Sequence, residues 1–284
     1  MKKALITFIN LIVYIIAFGQ NKTEKATSAI INEGKMLYKS EMASWYGTDI
    51  FLEKFSNRRE NIGGYFSYTD NDVSTCIFFS KSNDSKVIGT ISFDSTYNVN
   101  IAKVDGSERN FTTKELEIYT IRKIALAEIT SDTLFKTYKN TNLNLIPIIN
   151  KQDKKVYVLT GPQTNDVVII GNDYLLTFDK KNNLIKKKQL HKNIMPIKYS
   201  EEKDEAITAH THLKETGDYI TATDICTLLL YEKFAKWKQH IVISEDYVSL
   251  WNCKTDQLVT LTKKAWDNIN SDQQKHGKNL KRKE

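Results

Sequence analysis

The chain has 284 residues, with 41 Lys and Arg against 34 Asp and Glu, for a formal net charge of +7. Hydrophobic residues make up 40% and aromatic residues 11%, enough apolar material for a sizeable core and too much for a disordered chain. Three cysteines, Cys76, Cys226 and Cys253, are too few for a disulfide-stapled scaffold and match no zinc-binding spacing.

Residues 1–19 read as a secretory signal. Lys2 and Lys3 form a basic start, Ala4 to Phe18 an apolar core, and Ala17-Phe-Gly19 offers small residues for cleavage before Gln20. The apolar run is shorter than the roughly 20 residues a bilayer span needs. An exported protein is therefore expected, periplasmic or secreted from a bacterium, with no stable membrane insertion once the signal is removed. An uncleaved anchor is the alternative. Losing Lys2 and Lys3 would lower the net charge from +7 to +5.

From Thr23 to Tyr46 the chain is rich in helix formers, with Ala26, Ile30, Leu37 and Trp45 loosely on one face. Strand-like runs follow at Gly64–Tyr68, Ser74–Phe79, Lys86–Phe93 and Asn98–Val104. They are separated by the turn-rich Thr69-Asp-Asn-Asp72, Ser82-Asn-Asp-Ser85 and Asp94-Ser-Thr96, which is the pattern of an antiparallel meander. Thr112 and Glu115 make a capping box for a helix to about Thr130, with Ile118, Ile121, Ala125 and Ile129 as its buried stripe. Residues 20–133 are expected to form an N-terminal α+β domain, and nothing in it suggests chemistry.

The second half, residues 134–270, carries strand-like runs at Ile146–Ile149, Val156–Thr160, Val167–Ile170 and Tyr174–Phe178. Gly161-Pro-Gln and Gly171-Asn-Asp break them, and Asp179 to Asn183 turns into Leu184–Leu190. A linker containing Pro196 leads to Ala206-Ile-Thr-Ala209, a short buried strand ending in His210-Thr-His212. An apolar helix opens at Thr221-Ala-Thr-Asp224 and runs to about Lys236, two more strands follow, and a last helix starts near Thr262. Residues 271–284 are expected to be a basic disordered tail. Cys76 and Cys226 fall in apolar patterns and read as buried small hydrophobes, with a Cys226–Cys253 bridge as the alternative.

The chemistry lies in the second half. Residues two apart in a strand point to one face, so His210 and His212 can hold one ion together, and Asp224 at the helix start can close a third side. Two imidazoles, a carboxylate and a fourth position for water are a common make-up for catalytic zinc. Thr221 and Asp224 also form a capping box, and a cap fixes the carboxylate in place. His191, after the Leu184–Leu190 strand, is a further ligand or a supporting group; His240 opens a buried strand and reads as structural.

This arrangement resembles the JAMM metalloprotease family, whose motif is His-x-His, a Ser or Thr, then x-x-Asp. The similarity covers about Lys155 to Val259 and includes His240-Ile-Val-Ile243 and Tyr247 to Trp251 as the family's later strands. It implies a mixed sheet flanked by helices, a zinc ion on His210, His212 and Asp224, and Thr221 as donor to the tetrahedral intermediate. The chain departs from the family in three places. The gap before Asp224 is one residue longer, Leu213 replaces a proline, and Lys154 and Lys155 stand where the family's catalytic Glu opens the Lys155–Gly161 strand. Asp153, Asp173 and the linker acids Glu201, Glu202 and Glu205 are the carboxylates nearby in sequence.

Two functions are open from these residues. One is an exported metal-dependent peptidase or isopeptidase-like hydrolase acting on a protein or peptide. The other is a non-catalytic exported binding protein that keeps the fold. No stretch pairs basic residues with stacked aromatics, so nucleic acid is not an expected partner.

Overall fold

A computed structural model describes the backbone of residues 2–150, 153–200 and 206–280, and side chains over 22–150, 153–200 and 206–273. The molecule is mixed α+β. Helix α1 spans Lys2–Lys54, longer than the Thr23–Tyr46 run expected, because no proline interrupts its backbone ladder. The proposed cleavage point before Gln20 falls within this helix, and the side chains around it lie outside the described residues. No helix among the described residues is long and apolar enough to cross a membrane.

Strands β1 (Ile62–Asp70), β2 (Val73–Ser80), β3 (Val87–Phe93) and β4 (Lys103–Asp105) form the expected antiparallel meander in that order. Asn71 and Asp72 both take positive φ, 45° and 62°, the geometry of a two-residue type I′ hairpin. Only Lys103–Asp105 of the fourth run pairs, since Val99–Ile101 coils into a short 3₁₀ turn capped by Asn98. One face of α1 buries Ala43, Ile50 and Phe51 against Cys76, Phe78 and Ile91. Phe51 stacks on Phe78 with centroids 4.0 Å apart. Burying such a side chain contributes about 1.5–3 kcal/mol. Trp45 is 44% exposed and lies against Phe234 instead of sharing the Leu37 face; eight residues carry it about 80° round the helix.

Helix α2 (Thr113–Ser131) begins at the Thr112–Glu115 capping box and presents Ile118 to the meander, while Ile121 and Ala125 face the next sheet. That sheet has the order β5 (Thr141–Asn150), β6 (Asp153–Pro162), β8 (Tyr174–Phe178), β9 (Leu184–Gln189) and is antiparallel throughout. The intervening β7 (Val167–Gly171) leaves it to pair with β10 (Ile194–Lys198). Pro196, expected in a linker, is thus inside a strand; as an edge strand of a two-stranded ladder, β10 tolerates the missing N–H.

The last sheet holds β11 (Ala206–Thr211), β12 (Trp237–Ile243), β13 (Tyr247–Asn252) and β14 (Gln257–Thr262), with β11 parallel to β12 and the rest antiparallel. Helix α3 (Ala222–Tyr231) makes the β11–β12 crossover and is buried from Ala222 to Leu230. Helix α4 (Lys263–Leu280) extends ten residues into the stretch expected to be disordered, because Ser271 to Leu280 contains no proline and continues a helix already started on β13 and β14. Residues 281–284 lie outside the described residues. All three cysteines are buried and free, so the Cys226–Cys253 bridge is not formed.

Helix α1 touches both halves, packing on β1, β2 and β3 and on α3 and β5. Its closest approach to α3 is at Gly34, where an added Cβ would lie 2.7 Å from the Ile225 side chain and 3.0 Å from the Ala222 carbonyl oxygen. Leu37, one turn on, is fully buried with Ile146, Cys226 and Leu230. Gly34→Ala should therefore force the two helices apart and lower the unfolding free energy by about 1–3 kcal/mol, measured by urea denaturation; an unchanged midpoint would show that the crossing has slack.

Candidate metal centre

His210 is near the end of β11 and His212 one residue past it, where its backbone N–H donates to the Ile243 carbonyl at 2.8 Å. The strand geometry turns both rings to the same side, against the first turn of α3. There Thr221 caps the helix reciprocally. Its hydroxyl accepts from the Asp224 N–H at 3.1 Å, and Asp224 Oδ2 accepts from the Thr221 backbone N–H at 2.9 Å and from its hydroxyl at 2.8 Å. The Thr221 hydroxyl proton is therefore spent on positioning Asp224. Asp224 Oδ1 is buried and has no hydrogen-bond partner.

A third imidazole joins them. His191 follows β9 in the loop to β10, and that loop is tied to the β7–β8 turn by Asn172 N–H to Asn193 O at 2.9 Å and Leu190 N–H to Asp173 O at 2.7 Å. The turn itself is pinned. Gly171 has φ +92° and a Cβ there would stand 2.2 Å from the Asn193 carbonyl oxygen, so only glycine fits. Asn172, fully buried, is bonded through its side chain to Thr160, Tyr174 and the Lys136 carbonyl. Asp173 is thereby placed with Oδ2 3.1 Å from His191 Nδ1.

The donor atoms of His191, His210, His212 and Asp224 all lie within 4.8 Å of one another, and all four residues are buried. The His212 Nε2 is 3.1 Å from that of His191 and 3.0 Å from that of His210. Asp224 Oδ1 lies 3.6 Å from His191 Nε2 and 3.5 Å from His210 Nε2, and Oδ2 lies 3.2 Å from His212 Nε2. Four ligands about 2.0–2.1 Å from one centre, arranged tetrahedrally, are about 3.3 Å apart. The separations of His212 from the other three donors are close to that value, and all four lie near enough together for the cluster to hold a metal ion.

The outer partners fix which nitrogen faces inward. With His191 Nδ1 donating to the Asp173 carboxylate, the neutral ring presents Nε2 as a lone pair to an ion. His210 Nδ1 is 2.8 Å from His240 Nε2, and His240 Nδ1 is 2.7 Å from Thr208 Oγ1. With protons passed outward along that chain, His210 Nε2 also faces inward as a lone pair. Such relays orient metal-binding histidines and raise their basicity. His240, fully buried, is thus structural in a specific way: it sets the tautomer of His210. Nothing in the structure accounts for the unpartnered His212 Nδ1.

Electrostatics agree with the geometry. Burial opposes a charge on His191, but the Asp224 and Asp173 carboxylates outweigh it and raise the pKa to about 9. Burial lowers His210 to about 4 and His240 to about 3. Burial also opposes ionisation of Asp224, yet His191, His210 and His212 hold its carboxyl well below the usual range. The centre therefore pairs one buried anion with a proton on His191, or with a cation in its place. His191 and His210 also line a cleft of about 270 Å³ with Ile170, Met195, Leu213 and Thr216.

The other carboxylates are placed elsewhere. Asp153 lines a separate cleft with Glu33 and Lys155. The strand that resembles the Glu-bearing strand, β6, pairs with β5 and β8 and not with β11. Lys154 is buried on Glu117, and Lys155 pairs with Glu33. Glu201, Glu202 and Glu205 lie outside the described residues. Asp173 alone of these candidates is shown to reach the centre, through His191. The sequence signal for that pair was the glycine-led turn Gly171-Asn-Asp173 and a histidine directly after a strand, each too common to stand out. No protein-family model, curated protein or solved structure matches the chain.

The sign of the pH dependence follows. Without an ion, the raised pKa of His191 gives stability that is present below the unfolded value of about 6.5 and lost as pH rises through about 9. The depressed His210 and His240 give stability present above about 6.5 and lost as pH falls towards 4 and 3. Ion binding needs deprotonated donors, so the stabilisation by an ion grows with pH. Thermal unfolding of chelator-treated and metal-loaded protein from about pH 6 to about pH 9 should show the difference in Tm widening. A constant difference would remove His191 from the centre.

Proposed function

We propose that the protein is a zinc-dependent hydrolase of the peptidase or isopeptidase type. The observation that carries this reading is the convergence of His191, His210, His212 and Asp224 donor atoms within 4.8 Å of one another beside a cleft. His210, His212 and Asp224 would hold the ion, as the JAMM resemblance implies. Nitrogen donors with one carboxylate and bond lengths near 2 Å suit zinc better than the oxygen-seeking calcium or magnesium. When bound, zinc polarises a carbonyl and makes water more acidic.

The chain's own residues supply the rest. His191, which also lines the cleft, would stand in for the family's absent Glu once a bound ion has displaced the proton it carries. Asp173 holds Nδ1, fixing the ring and offsetting the charge it acquires. Thr221 positions Asp224. Ile170, Met195 and Leu213 give the cleft an apolar wall for a peptide side chain. The signal-like residues 1–19 support action outside the cytoplasm.

A second reading has one observation in its favour. If all four donors of the cluster bound the ion, no position would be left open, which is the mark of a structural site. The protein would then be a binding module that keeps its ion for stability. His191→Ala separates the two. Under the hydrolase reading it retains about one zinc per chain while cleavage of a peptide library falls by roughly 10²- to 10⁴-fold, and His210→Ala loses both. Under the structural reading His191→Ala loses zinc and stability as His210→Ala does, and zinc-loaded wild-type protein cleaves nothing. For export, the N-terminal mass of protein from a secreting host should correspond to a start at Gln20; an intact Met1 in the membrane fraction would sink that part.

A further inference from the structure

We infer that the N-terminal half carries a second, independent site: a pocket for a phosphate-type oxyanion built around Arg122. The pocket, about 280 Å³, lies between the end of β2 with its following loop and one face of α2. From α2 come Tyr119, Arg122, Lys123 and Leu126, spaced at i, i+3, i+4 and i+7 and so on a single face. From the other side come Phe79, Ser80, Lys81, Ser82, Asn83 and Ser85. Three cations line the pocket and no carboxylate does. Asp84 belongs to the same loop, but the contact it makes there is through its backbone oxygen, which accepts from the Ser82 hydroxyl.

Arg122 is the unusual member. Arg109 spends its guanidinium on the buried Glu115, and Arg58 donates to the carbonyls of Ile88 and Gly106. Arg122 makes no hydrogen bond or ion pair with any described residue, and its Nε is buried without a partner. Its neighbours are the Phe79 ring, 5.9 Å from the guanidinium carbon, and the groups of Tyr65, Tyr119 and Cys76. Burial pushes its pKa down from the ordinary value, and no carboxylate acts on it. A partly buried cation without a counter-charge is costly to keep, and a bound anion would offset that cost.

The chemistry of the walls narrows the ligand. A planar guanidinium fork with two lysines matches the several oxygens of a phosphate better than a single carboxylate. Serine hydroxyls ring the opening; Ser80 and Ser82 are 2.9 Å apart, and Ser85 lies 3.2 Å from the Tyr119 hydroxyl. Phe79 and Tyr119 meet edge to face at 5.0 Å, and the Lys123 ammonium lies 5.9 Å from the Tyr119 ring centre. Those rings give an organic phosphate ester a flat surface beside the cations.

Calorimetric titration of the intact protein with inorganic phosphate, phenyl phosphate and acetate tests this, with thermal unfolding as a second readout. One phosphate site per chain is expected, with a rise in Tm and much weaker binding of acetate. Arg122→Met should weaken phosphate roughly 10- to 100-fold. It should fold with an unchanged or higher Tm in phosphate-free buffer, because a half-buried charge without a partner is gone. Exposed Lys123→Ala should weaken binding by a smaller factor, and His210→Ala should leave it unchanged. Tighter binding of phenyl phosphate would identify an ester as the ligand, and equal binding a free phosphate. Absence of binding at about 50 mM phosphate, or equal binding by Arg122→Met, overturns the proposal.

Discussion

A carboxylate that is only 1% exposed governs the architecture of the C-terminal half. Burying Asp224 takes a charge out of water, a penalty of several kcal/mol that must be met by opposite charge and hydrogen bonds. The α3 N-terminus meets part of it through the Thr221 cap and the helix dipole. The remaining charge is met by three imidazoles, His191 and His210 beside Oδ1 and His212 beside Oδ2. The β7–β8 turn, the loop after β9, the end of β11 and the start of α3 are all required to surround one anion. That requirement explains why Gly171 and Asn172 are so tightly constrained although neither touches Asp224.

Which parts of this were legible beforehand has a physical pattern. Local signals read well: the Asn71-Asp72 turn, the two capping boxes and the alternation at His210 and His212 are set by neighbours in sequence. What failed was decided by partners far away. Pro196 looks like a loop residue until β7 is available to pair with β10. The run at Val99–Ile101 has strand composition, but only Lys103 to Asp105 finds β3 beside it. Trp45 has the apolarity of a core residue and points where Phe234 happens to lie.

The centre shows the same division. His210, His212 and Asp224 come within fifteen residues of each other, and strand and helix periodicity brings them together. His191 and Asp173 come from two other loops, and their meeting depends on sheets whose order periodicity does not determine. Arg122 was invisible for a related reason. On α2 it looks like one more solvated cation of a helix face, and only the tertiary structure shows that no acid reaches it.

Helix α1 has a consequence for how the chain acquires this structure. Gly34 sits against Ile225 and Leu37 against Cys226, so helix α1 completes its packing only when α3, far along the chain, has been made. Contacts so far apart in sequence slow folding. Until they form, the apolar stripe of α1 has only the meander and β5 to cover part of it. The same long-range contact joins the two halves through one helix, so the packing of α1 is completed only when both are in place.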